Sequence, residues 1–514
     1  MKNITLLTLL LLVSNINVYA QNRTIANITK FNVKNSGAIS DGENDVDGYY
    51  FFYEVDKLEN KEREYAIQIL DKNLNDVATK SMISKKRTVL IGKGFNGDQL
   101  TFALFSKLDK KIEIVSFDKQ ANNLTPIQLP VSPGEFRRLA SQSKARPLNL
   151  LLPVDNKGFL LKRLLTGKKS GYAMQYFPTN GGKKWEFHSD KTSQETLDIS
   201  TIAINEKVVV LLEKSQRYAS SAKMSLRTIV LEIDTGNLLF TRDYDELDPR
   251  LITNAFITKE DQIVFLGQYY KPKAKLAKAE SLGLYTEVYH MDGTLSYENK
   301  LSWKDHISKK VAIKKGSKTK DYGYIYFHEI VRMGNDGYYA IGEQYSKKAD
   351  AAGIALGVLA AAGGGATAGG FTKLTITDAI VFKFDNKFDL IDVEIFEKGK
   401  SNIPNVFDFG SPQMNAHMVK ALGGFDYAYT QIDKENNRFY ANFIDYERLK
   451  GEQNKLAFKT IIHDEGELSS DKIYLEEGKT NFFPLPAKIG YVLLMEYDKE
   501  KKEISIHTEK LNIE

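Results

Sequence analysis

The sequence repeats one β-strand pattern eight times, and this repeat restricts the fold more than any other feature. In each unit an apolar, aromatic-rich strand is followed by a connection and then by a strand that ends in an Asp turn, as in YAIQILDKNLN and TIVLEIDTGN. The first strands begin at residues 48, 100, 158, 208, 263, 338, 426 and 490, in most cases about 50 to 60 residues apart. Units of this length with about four short strands are typical of β-propeller blades.

We therefore predict an all-β fold, a β-propeller of seven or eight four-stranded blades. A four-stranded sheet cannot bury both of its faces alone, but it can do so between two neighbours in a ring. Residues 24–33 precede the first unit and are predicted to close the ring as the outer strand of the last blade. The alternatives are a β-sandwich array or two smaller β domains. No proline- or serine-rich linker divides the chain, which favours a single propeller domain over residues 21–514.

Residues 1–20 have the features of a secretory signal peptide. Lys2 precedes an apolar run over residues 4–13, and the small residues Val18 and Ala20 occupy the positions that a signal peptidase reads. The apolar run is shorter than the roughly 20 residues of a transmembrane helix. We therefore expect cleavage near Gln21, a periplasmic or secreted mature protein, and no transmembrane span after removal of the signal.

Composition limits what holds the chain together and what it binds. The sequence has no cysteine, so it forms no disulfide and carries no lipidated amino-terminal cysteine. An exported chain of this length must then be stabilised by burial alone. The formal net charge is only +5, which is too small to predict nucleic-acid binding.

The segments TKFNVKNSGAISDGENDVDGYYFFYEVDK, GYYAIGEQY and DAIVFKFD resemble an uncharacterised family of exported bacterial proteins of unknown function. The resemblance covers the whole mature chain. It implies export and β-propeller-like repeats, and it brings neither an activity nor catalytic residues.

A Gly- and Ala-rich insertion without charged residues occupies residues 351–370. GGGATA within it matches a loose dinucleotide-binding pattern, but the strand-like FTKLTITDAIVFKF follows where a phosphate-binding helix should begin. The length would suit a membrane helix, yet few large apolar side chains could drive insertion and the glycines would lose backbone entropy in any helix. We therefore predict a mildly apolar surface loop.

The strongest metal pattern is an acidic turn that precedes the first repeated strand. Glu43, Asp45, Asp47, Gly48 and Glu54 have the spacing of a calcium-binding loop. Position one is Glu rather than Asp and no helix flanks the loop, so the pattern favours a solvated acidic turn more strongly than a calcium site. We expect calcium to bind weakly if at all, and no other cofactor.

Motifs for covalent catalysis are weak. SQSK, at residues 141–144, and SSAK, at residues 220–223, have the spacing of a Ser–Lys nucleophile pair, but neither is predicted to lie on a convincing helix. The seven histidines do not have the spacing of metal sites. No catalytic residue is predicted.

The long connections are predicted to share one face of the propeller, because alternate connections of a blade open on the same side. Residues 213–227, 271–279 and 351–370 are assigned to first-to-second connections, and residues 303–320 to a third-to-fourth connection. A membrane or partner face is predicted on that side from its lysines and large apolar residues: Lys271, Lys273, Lys275, Lys278, Lys309, Lys310, Lys314, Lys315, Ile354, Leu356 and Leu359. The alternative is a solvated rim that resists aggregation.

These features predict an exported binding or scaffold module of the cell envelope, with an unknown envelope protein or an anionic surface as its partner. The alternative from another class is a hydrolase that uses carboxylates in a central propeller pocket, and clustered acids in that channel would favour it. A purely structural envelope protein is the third possibility. Because no linear catalytic motif is convincing, a binding protein is favoured over an enzyme.

Overall fold

Eight antiparallel sheets follow one another along the chain, and each forms one blade of a β-propeller. The computed structural model describes residues 22–40, 45–118, 122, 124–145, 148–165, 171–190, 193, 195–217, 224–311, 324–334, 337–350, 372–405, 411–447, 455–474 and 482–511. Blade 1 contains β2 (Lys30–Ser40), β3 (Val46–Lys57), β4 (Glu62–Asp71) and β5 (Asp76–Lys85), and blade 2 contains β6 (Thr88–Phe95), β7 (Gln99–Ser106), β8 (Lys111–Asp118) and β9 (Ile127–Pro130). Blade 3 contains β10 (Leu151–Val154), β11 (Gly158–Arg163), β12 (Ala173–Pro178) and β13 (Trp185–His188), and blade 4 contains β14 (Thr196–Ile204), β15 (Val208–Gln216), β16 (Ser225–Glu232) and β17 (Leu238–Tyr244).

The remaining blades follow the same plan, with one additional short strand in blade 6. Blade 5 contains β18 (Arg250–Ile257), β19 (Ile263–Tyr269), β20 (Gly283–Tyr289) and β21 (Leu295–Ser302), and blade 6 contains β22 (Ile325–Met333), β23 (Gly337–Ala349), β24 (Thr372–Phe384), β25 (Leu390–Phe396) and β26 (Ser401–Pro404). Blade 7 contains β27 (Tyr427–Asp433), β28 (Arg438–Glu447), β29 (Lys455–Asp464) and β30 (Glu467–Tyr474), and blade 8 contains β31 (Phe482–Pro486), β32 (Tyr491–Asp498), β33 (Glu503–Lys510) and β1 (Asn22–Ile25). The strands β25 and β26 pair with different parts of β24.

The blades form a closed ring around an axis lined by their first strands. First strands approach one another in most pairs of consecutive blades, and β31 of the last blade also approaches β2 of the first. The amino-terminal strand β1 pairs with β33 and is the outermost strand of blade 8, so the two ends of the described chain complete one sheet. The predicted all-β propeller is confirmed, with eight blades, and the β-sandwich array is excluded.

Apolar side chains fill the interfaces between blades. Strand β3 shows how one strand serves two interfaces, because successive side chains point to opposite faces of the sheet. Tyr49 and Phe51 pack in a cluster with blade 8, whereas Tyr50 and Phe52 pack in a cluster with blade 2. Similar buried clusters lie between the other neighbouring blades. Burial on both faces explains why GYYFFYEV is continuously apolar rather than alternating.

The predicted position of the repeated strands within the blade is wrong by one strand. Seven of the eight apolar segments are second strands, and only the segment that begins at residue 426 is a first strand. The second strand is buried on both faces and gives the clearest apolar signal. First strands near the axis are less apolar or very short, as β10 is, and are therefore harder to recognise in the sequence.

Of residues 24–33, which were predicted to form the closing strand, only the first two belong to the outer strand of blade 8. Strand β1 ends at Ile25, and the chain then enters β2 at Lys30, which is the innermost strand of blade 1. Asn27 between them has a positive φ of 63°, a conformation that Asn tolerates better than most residues. The break at Asn27 ends the outer strand and redirects the chain toward the axis.

Asp residues open the third-to-fourth connections, as the repeat predicted. Asp71 accepts hydrogen bonds through Oδ1 from the backbone N–H groups of Asn73 and Asn75, both at 2.8 Å. Asp385 accepts equivalent bonds from Lys387 and Asp389. These turns are short, and they open on the same side as the first-to-second connections. We call this side the turn face.

The opposite side carries the long connections, and we call it the loop face. It is formed by second-to-third connections, including residues 270–282, and by the links between blades. Helices α1 (Pro133–Ala145) and α2 (Pro412–Ala421) and the 3-10 helix Ile307–Lys309 all belong to such links. The prediction misplaced the strands by one position, which moves every long connection to the opposite side of the ring. Because alternate connections share a side, the long connections still lie together on one face. Within the described ranges, no helix is long and apolar enough to span a membrane.

Candidate functional site

The connection between β19 and β20 presents four predicted lysines on the loop face. Lys271, Lys273, Lys275 and Lys278 are exposed. Between them, Leu276 is 3% exposed and Ala277 is 2% exposed, and Leu276 packs into the apolar cluster of blades 4 and 5. The buried pair anchors the connection, so the lysines are held outward by packing. We call residues 270–282 the lysine loop.

Helix α2 is joined to the lysine loop at its amino-terminal end. The Ser411 N–H donates to the Ala277 carbonyl at 2.5 Å, and the Ser411 side chain accepts from the backbone N–H of Met414 as the helix N-cap. Pro412 occupies the first turn, where its missing N–H costs no intrahelical bond. The link between blades 6 and 7 is therefore fastened to blade 5 through a helix cap.

The link from blade 5 to blade 6 extends the same surface. The Trp303 N–H donates to the Leu282 carbonyl at 3.0 Å, and its indole N–H donates to the Ser281 hydroxyl at 2.9 Å. Lys309 and Lys310 follow in this link and are exposed. The structure thus brings six of the predicted lysines to one side of the ring, across blades 5 and 6. The other predicted residues of this face, Lys314, Lys315, Ile354, Leu356 and Leu359, lie outside the described residues.

The Gly- and Ala-rich insertion leaves and re-enters the fold on this face. Strands β23 and β24 remain paired as far as Ala349 and Thr372, and the intervening connection is a second-to-third connection of blade 6. Residues 351–371 themselves lie outside the described residues.

A buried ionic network lies between blades 6 and 7, close to α2. Lys398 Nζ is 2.9 Å from Glu343 Oε1 and 2.5 Å from Asp426 Oδ2. His328 Nε2 is 3.0 Å from Glu343 Oε2. The side chains of His328, Glu343 and Lys398 are fully inaccessible to solvent. His328, Glu343 and Lys398 belong to blade 6, whereas Asp426 lies in the link to blade 7. The N–H of Tyr427, the first residue of β27, also donates to Glu343 Oε2 at 3.0 Å, so the network ties the two blades together.

Electrostatics assign the charges within this network. Burial lowers the pKa of His328 to about 4, an effect that the charge of Lys420 reinforces, so the imidazole is neutral at pH 7. Burial acts to raise the pKa of Glu343, but the His328 hydrogen bond and the Lys398 charge hold it below its usual value. Burial raises the pKa of Asp426 against the attraction of Lys398. Lys398 is therefore a buried cation facing one firmly ionised carboxylate and a second, more weakly acidic one.

The sequence analysis missed this network, although one signal was present. Glu343 interrupts the apolar strand GYYAIGEQY at a buried position, and a fully buried carboxylate is almost always paired. The sealed side chains of His328, Glu343 and Lys398 leave no room for a substrate. We therefore interpret the network as a structural element beneath the loop face.

A central cavity of about 810 Å³ opens on the turn face. The ends of β14, β18, β22 and β27 line it. Its charged lining residues are two acids and three bases: Asp155, Glu329, Lys259, Arg332 and Lys434. Burial raises the pKa of Glu329, which accepts a hydrogen bond from the Tyr427 hydroxyl. Acids do not predominate in this lining, so its composition gives the hydrolase alternative no particular support.

The three described acidic residues of the predicted calcium site are not brought together. Asp45 and Asp47 are exposed at the start of β3, whereas Glu54 lies seven residues further along the same strand, roughly 23 Å away at about 3.3 Å per residue. Glu54 instead pairs with Arg63 at 3.1 Å. Glu43 lies outside the described residues, and no group of three or more potential ligands that could hold a metal occurs in the described part of the chain.

Gly48 has a structural role within the same segment. A Cβ at this position would lie 2.3 Å from the Leu70 carbonyl oxygen of β4. The glycine therefore permits two strands to approach closely, which explains its place in the pattern without a metal ion.

One Ser–Lys motif lies on a helix, contrary to expectation. SQSK falls within α1, where Ser141 is exposed. The Ser143 hydroxyl donates back to the Ala140 carbonyl at 3.4 Å, a common arrangement for a helical serine. SSAK lies outside the described residues.

Eight blades of four strands, one of them with a fifth short strand, and closure by a strand from the other end of the chain define an eight-bladed β-propeller with an elaborated loop face. The chain belongs to DUF6770, a family of unknown function whose sequence profile matches residues 1–512. No curated protein matches the sequence significantly.

Several solved structures show a distant similarity. Prolyl oligopeptidase B from Galerina marginata is 9% identical with a TM-score of 0.38, covering 92% of this chain and 56% of its own. Quinohemoprotein alcohol dehydrogenase from Comamonas testosteroni is 9% identical with a TM-score of 0.38, covering 93% and 76%. The β-propeller domain of the Trilobed protease from Pyrococcus furiosus is 9% identical with a TM-score of 0.34, covering 84% and 97%. The chain thus spans little more than half of the prolyl oligopeptidase, and similarities at this level carry no argument about activity.

Proposed function

We propose that this protein is an exported binding or scaffold module of the cell envelope that docks on an anionic membrane surface through its loop face. The observation that carries the proposal is the lysine loop. Its exposed lysines are held outward by buried Leu276 and Ala277 and by the hydrogen bond from Ser411. A fixed cationic surface of this kind suits a partner with negative charge.

The lysines of this surface are available for an external partner. Among the described residues, Lys271, Lys273, Lys275 and Lys278 form no ion pair, whereas many lysines elsewhere do. A lysine close to an anionic bilayer contributes about 1 kcal/mol of binding free energy, and salt screens this attraction. The expected mode of binding is therefore electrostatic and salt-dependent.

Exposed leucines on neighbouring connections favour a membrane over a purely polar protein surface. Leu247, in the link from blade 4 to blade 5, is 69% exposed. Leu282 ends the lysine loop, Leu422 follows α2, and both are also exposed. A few apolar side chains inserted at the level of the headgroups add burial to the attraction of the lysines.

Vesicle sedimentation tests the docking. We expect the mature protein to bind phosphatidylglycerol-containing vesicles at low salt and to ignore phosphatidylcholine vesicles. The variant Lys271→Gln/Lys273→Gln should bind roughly 30-fold more weakly, from about 1 kcal/mol for each lysine. The matched control Lys72→Gln/Lys387→Gln removes two exposed lysines from the turn face and should bind as the wild type does. Equal binding by all three proteins, or no binding by the wild type, would contradict the proposal; capture of an acidic envelope protein instead would indicate a protein partner.

Export is part of the proposal and rests on the signal peptide predicted at residues 1–20. In cells that produce the full chain, we expect the protein in the periplasmic or membrane fraction with Gln21 as its first residue. Fractionation followed by amino-terminal sequencing measures both. A cytoplasmic protein that retains residues 1–20 would rule out an envelope function.

A further inference from the structure

We propose that a cleft between blades 1 and 2 binds a phosphate-bearing anion. The cleft has a volume of about 800 Å³ and opens on the loop face. Blades 3 and 4 lie between it and the lysine loop on one side of the ring, and blades 6, 7 and 8 on the other, so the two basic regions lie on opposite sides of the ring. The cleft is therefore a second site and does not depend on docking through the lysine loop.

The lining is strongly cationic. It contains one acid, Glu54, and six basic residues: Lys30, Lys57, Arg63, Lys86, Arg87 and Lys107. Glu54 is already paired with Arg63 at 3.1 Å. Among the described residues, Lys30, Lys57, Lys86 and Arg87 form no ion pair. Because the whole chain has a formal net charge of only +5, this local excess is far above the average for the protein.

The fold, rather than a run of sequence, gathers these cations. Lys30 begins β2 and Lys57 ends β3, while Lys86 and Arg87 form the two-residue link from blade 1 to blade 2. The Lys86 N–H donates to the Lys61 carbonyl at 2.7 Å, which ties this link to the β3–β4 connection. Arg87 has a φ of 69°, an uncommon conformation for a residue with a side chain. Separate segments are thus fixed so that their charges converge despite mutual repulsion.

Aromatic residues also line the cleft. Phe52 stacks on Tyr65 with ring centroids 5.3 Å apart, and both side chains are buried. Low-dielectric walls beneath the cations strengthen their attraction for an anion. The same rings can contact the carbon skeleton that carries the phosphate.

An irregularity in β2 widens the lining. The pairing of β2 with β3 jumps from Phe31–Tyr53 to Ser36–Phe51, so four residues of β2 oppose Phe52 alone. Asn32 and Asn35 of this bulge line the cleft. Bulges redirect side chains and are frequent beside binding sites, and amide groups can donate hydrogen bonds to phosphate oxygens.

Phosphate fits this lining better than a single carboxylate does. Several cations converge on a small volume, and a phosphate group concentrates up to two negative charges on three strong acceptor oxygens. Arginine can bind such a group through two parallel hydrogen bonds, and lysine supplies a compact charge. The source of the phosphate is either a soluble phosphorylated compound or a phospholipid headgroup, and both share this chemistry.

Isothermal titration calorimetry with pyrophosphate tests the cleft on the mature protein. We expect one saturable site whose affinity falls with salt. Lys86→Gln/Arg87→Gln should weaken binding by roughly a hundredfold, because hydrogen bonds to charged groups at two positions are lost. Lys72→Gln/Lys387→Gln on the turn face should bind as the wild type does, and melting temperatures confirm that each variant is folded. Absence of pyrophosphate binding at low salt, or unchanged binding by the cleft variant, would overturn the proposal.

Competition separates the two sources of phosphate. Displacement of pyrophosphate by phosphatidic acid vesicles, with no displacement by phosphatidylcholine vesicles, would identify a headgroup site. Pyrophosphate binding that phosphatidic acid vesicles leave unchanged would identify a site for a soluble ligand. The two proposals can fail separately. If Lys271→Gln/Lys273→Gln leaves vesicle binding unchanged, docking through the lysine loop is wrong, but pyrophosphate binding would still support the cleft.

Discussion

Lys398→Met is expected to destabilise the protein by about 3–5 kcal/mol, since removing one partner of a buried ionic network leaves the opposite charges uncompensated. Glu343 and Asp426 would remain close to each other without the cation that now lies 2.9 and 2.5 Å from them. One of the two carboxylates would have to take up a proton or draw in water. Urea denaturation at pH 7.5 measures the loss, together with the melting temperature.

An exposed ion pair provides the matched control for this substitution. Arg332 and Glu260 are 3.0 Å apart, but the Glu260 side chain is 59% exposed, so Glu260→Gln should destabilise the protein far less than Lys398→Met does. The triple variant Lys398→Met/Glu343→Gln/Asp426→Asn removes both orphaned charges and should regain part of the loss. If Lys398→Met were no more destabilising than Glu260→Gln, the network would have to be hydrated rather than sealed.

The propeller could be predicted from the sequence because the repeated strands are buried on both faces of their sheets. Tyr49 and Tyr50 of β3 both face apolar neighbours, although they point to opposite sides of the sheet. Such strands are apolar at every position and are easily recognised. The first strands line the axis and include segments as short as β10, so the pattern was displaced by one strand in seven blades.

The charged sites could be predicted only in part, because most of their residues are far apart in the sequence and come together only in the folded protein. The lysines of residues 271–278 form a run and were recognised. Lys30 and Lys107 of the cleft are 77 positions apart and meet only because blades 1 and 2 pack against each other. Glu343, Lys398 and Asp426 likewise converge from one strand and two separate connections. A buried acid within an apolar strand indicates that a partner exists, but the partner is identified only by the packing of the blades.

Mild acid is expected to destabilise the interface between blades 6 and 7 before the rest of the ring. Burial and the charge of Lys420 lower the pKa of His328 from 6.5 to about 4, while its hydrogen bond with Glu343 acts in the opposite direction. Between these pH values the unfolded chain binds a proton that the folded protein excludes. The stability from neutral His328 is therefore complete above pH 6.5 and is lost as the pH falls through 4, by about 3 kcal/mol.

Three other buried groups near α2 also titrate in acid, with opposite signs. Burial lowers the pKa of His417 to about 4, so His417 adds to the loss. Burial raises the pKa of Asp426 and of Glu329, so the folded state binds these two protons first and gains stability as the pH falls. Ionised Glu343, whose pKa lies below its usual value, loses its contribution only in stronger acid. The net expectation is a loss of a few kcal/mol between pH 6.5 and 4.

Hydrogen exchange and a histidine substitution test this expectation together. As the pH is lowered from 7 to 4.5, amide protection, corrected for the intrinsic pH dependence of exchange, should fall first in residues 324–334 and 411–427, which contain β22 and α2. His328→Gln can keep a donor to Glu343 but cannot titrate, so it should reduce stability at pH 7 and flatten the dependence on pH between 6.5 and 4.5. His290 is an exposed histidine on the turn face, and the control variant His290→Gln should leave the dependence of stability on pH unchanged. A His328→Gln profile as steep as that of the wild type would show that the acid response originates elsewhere in the ring.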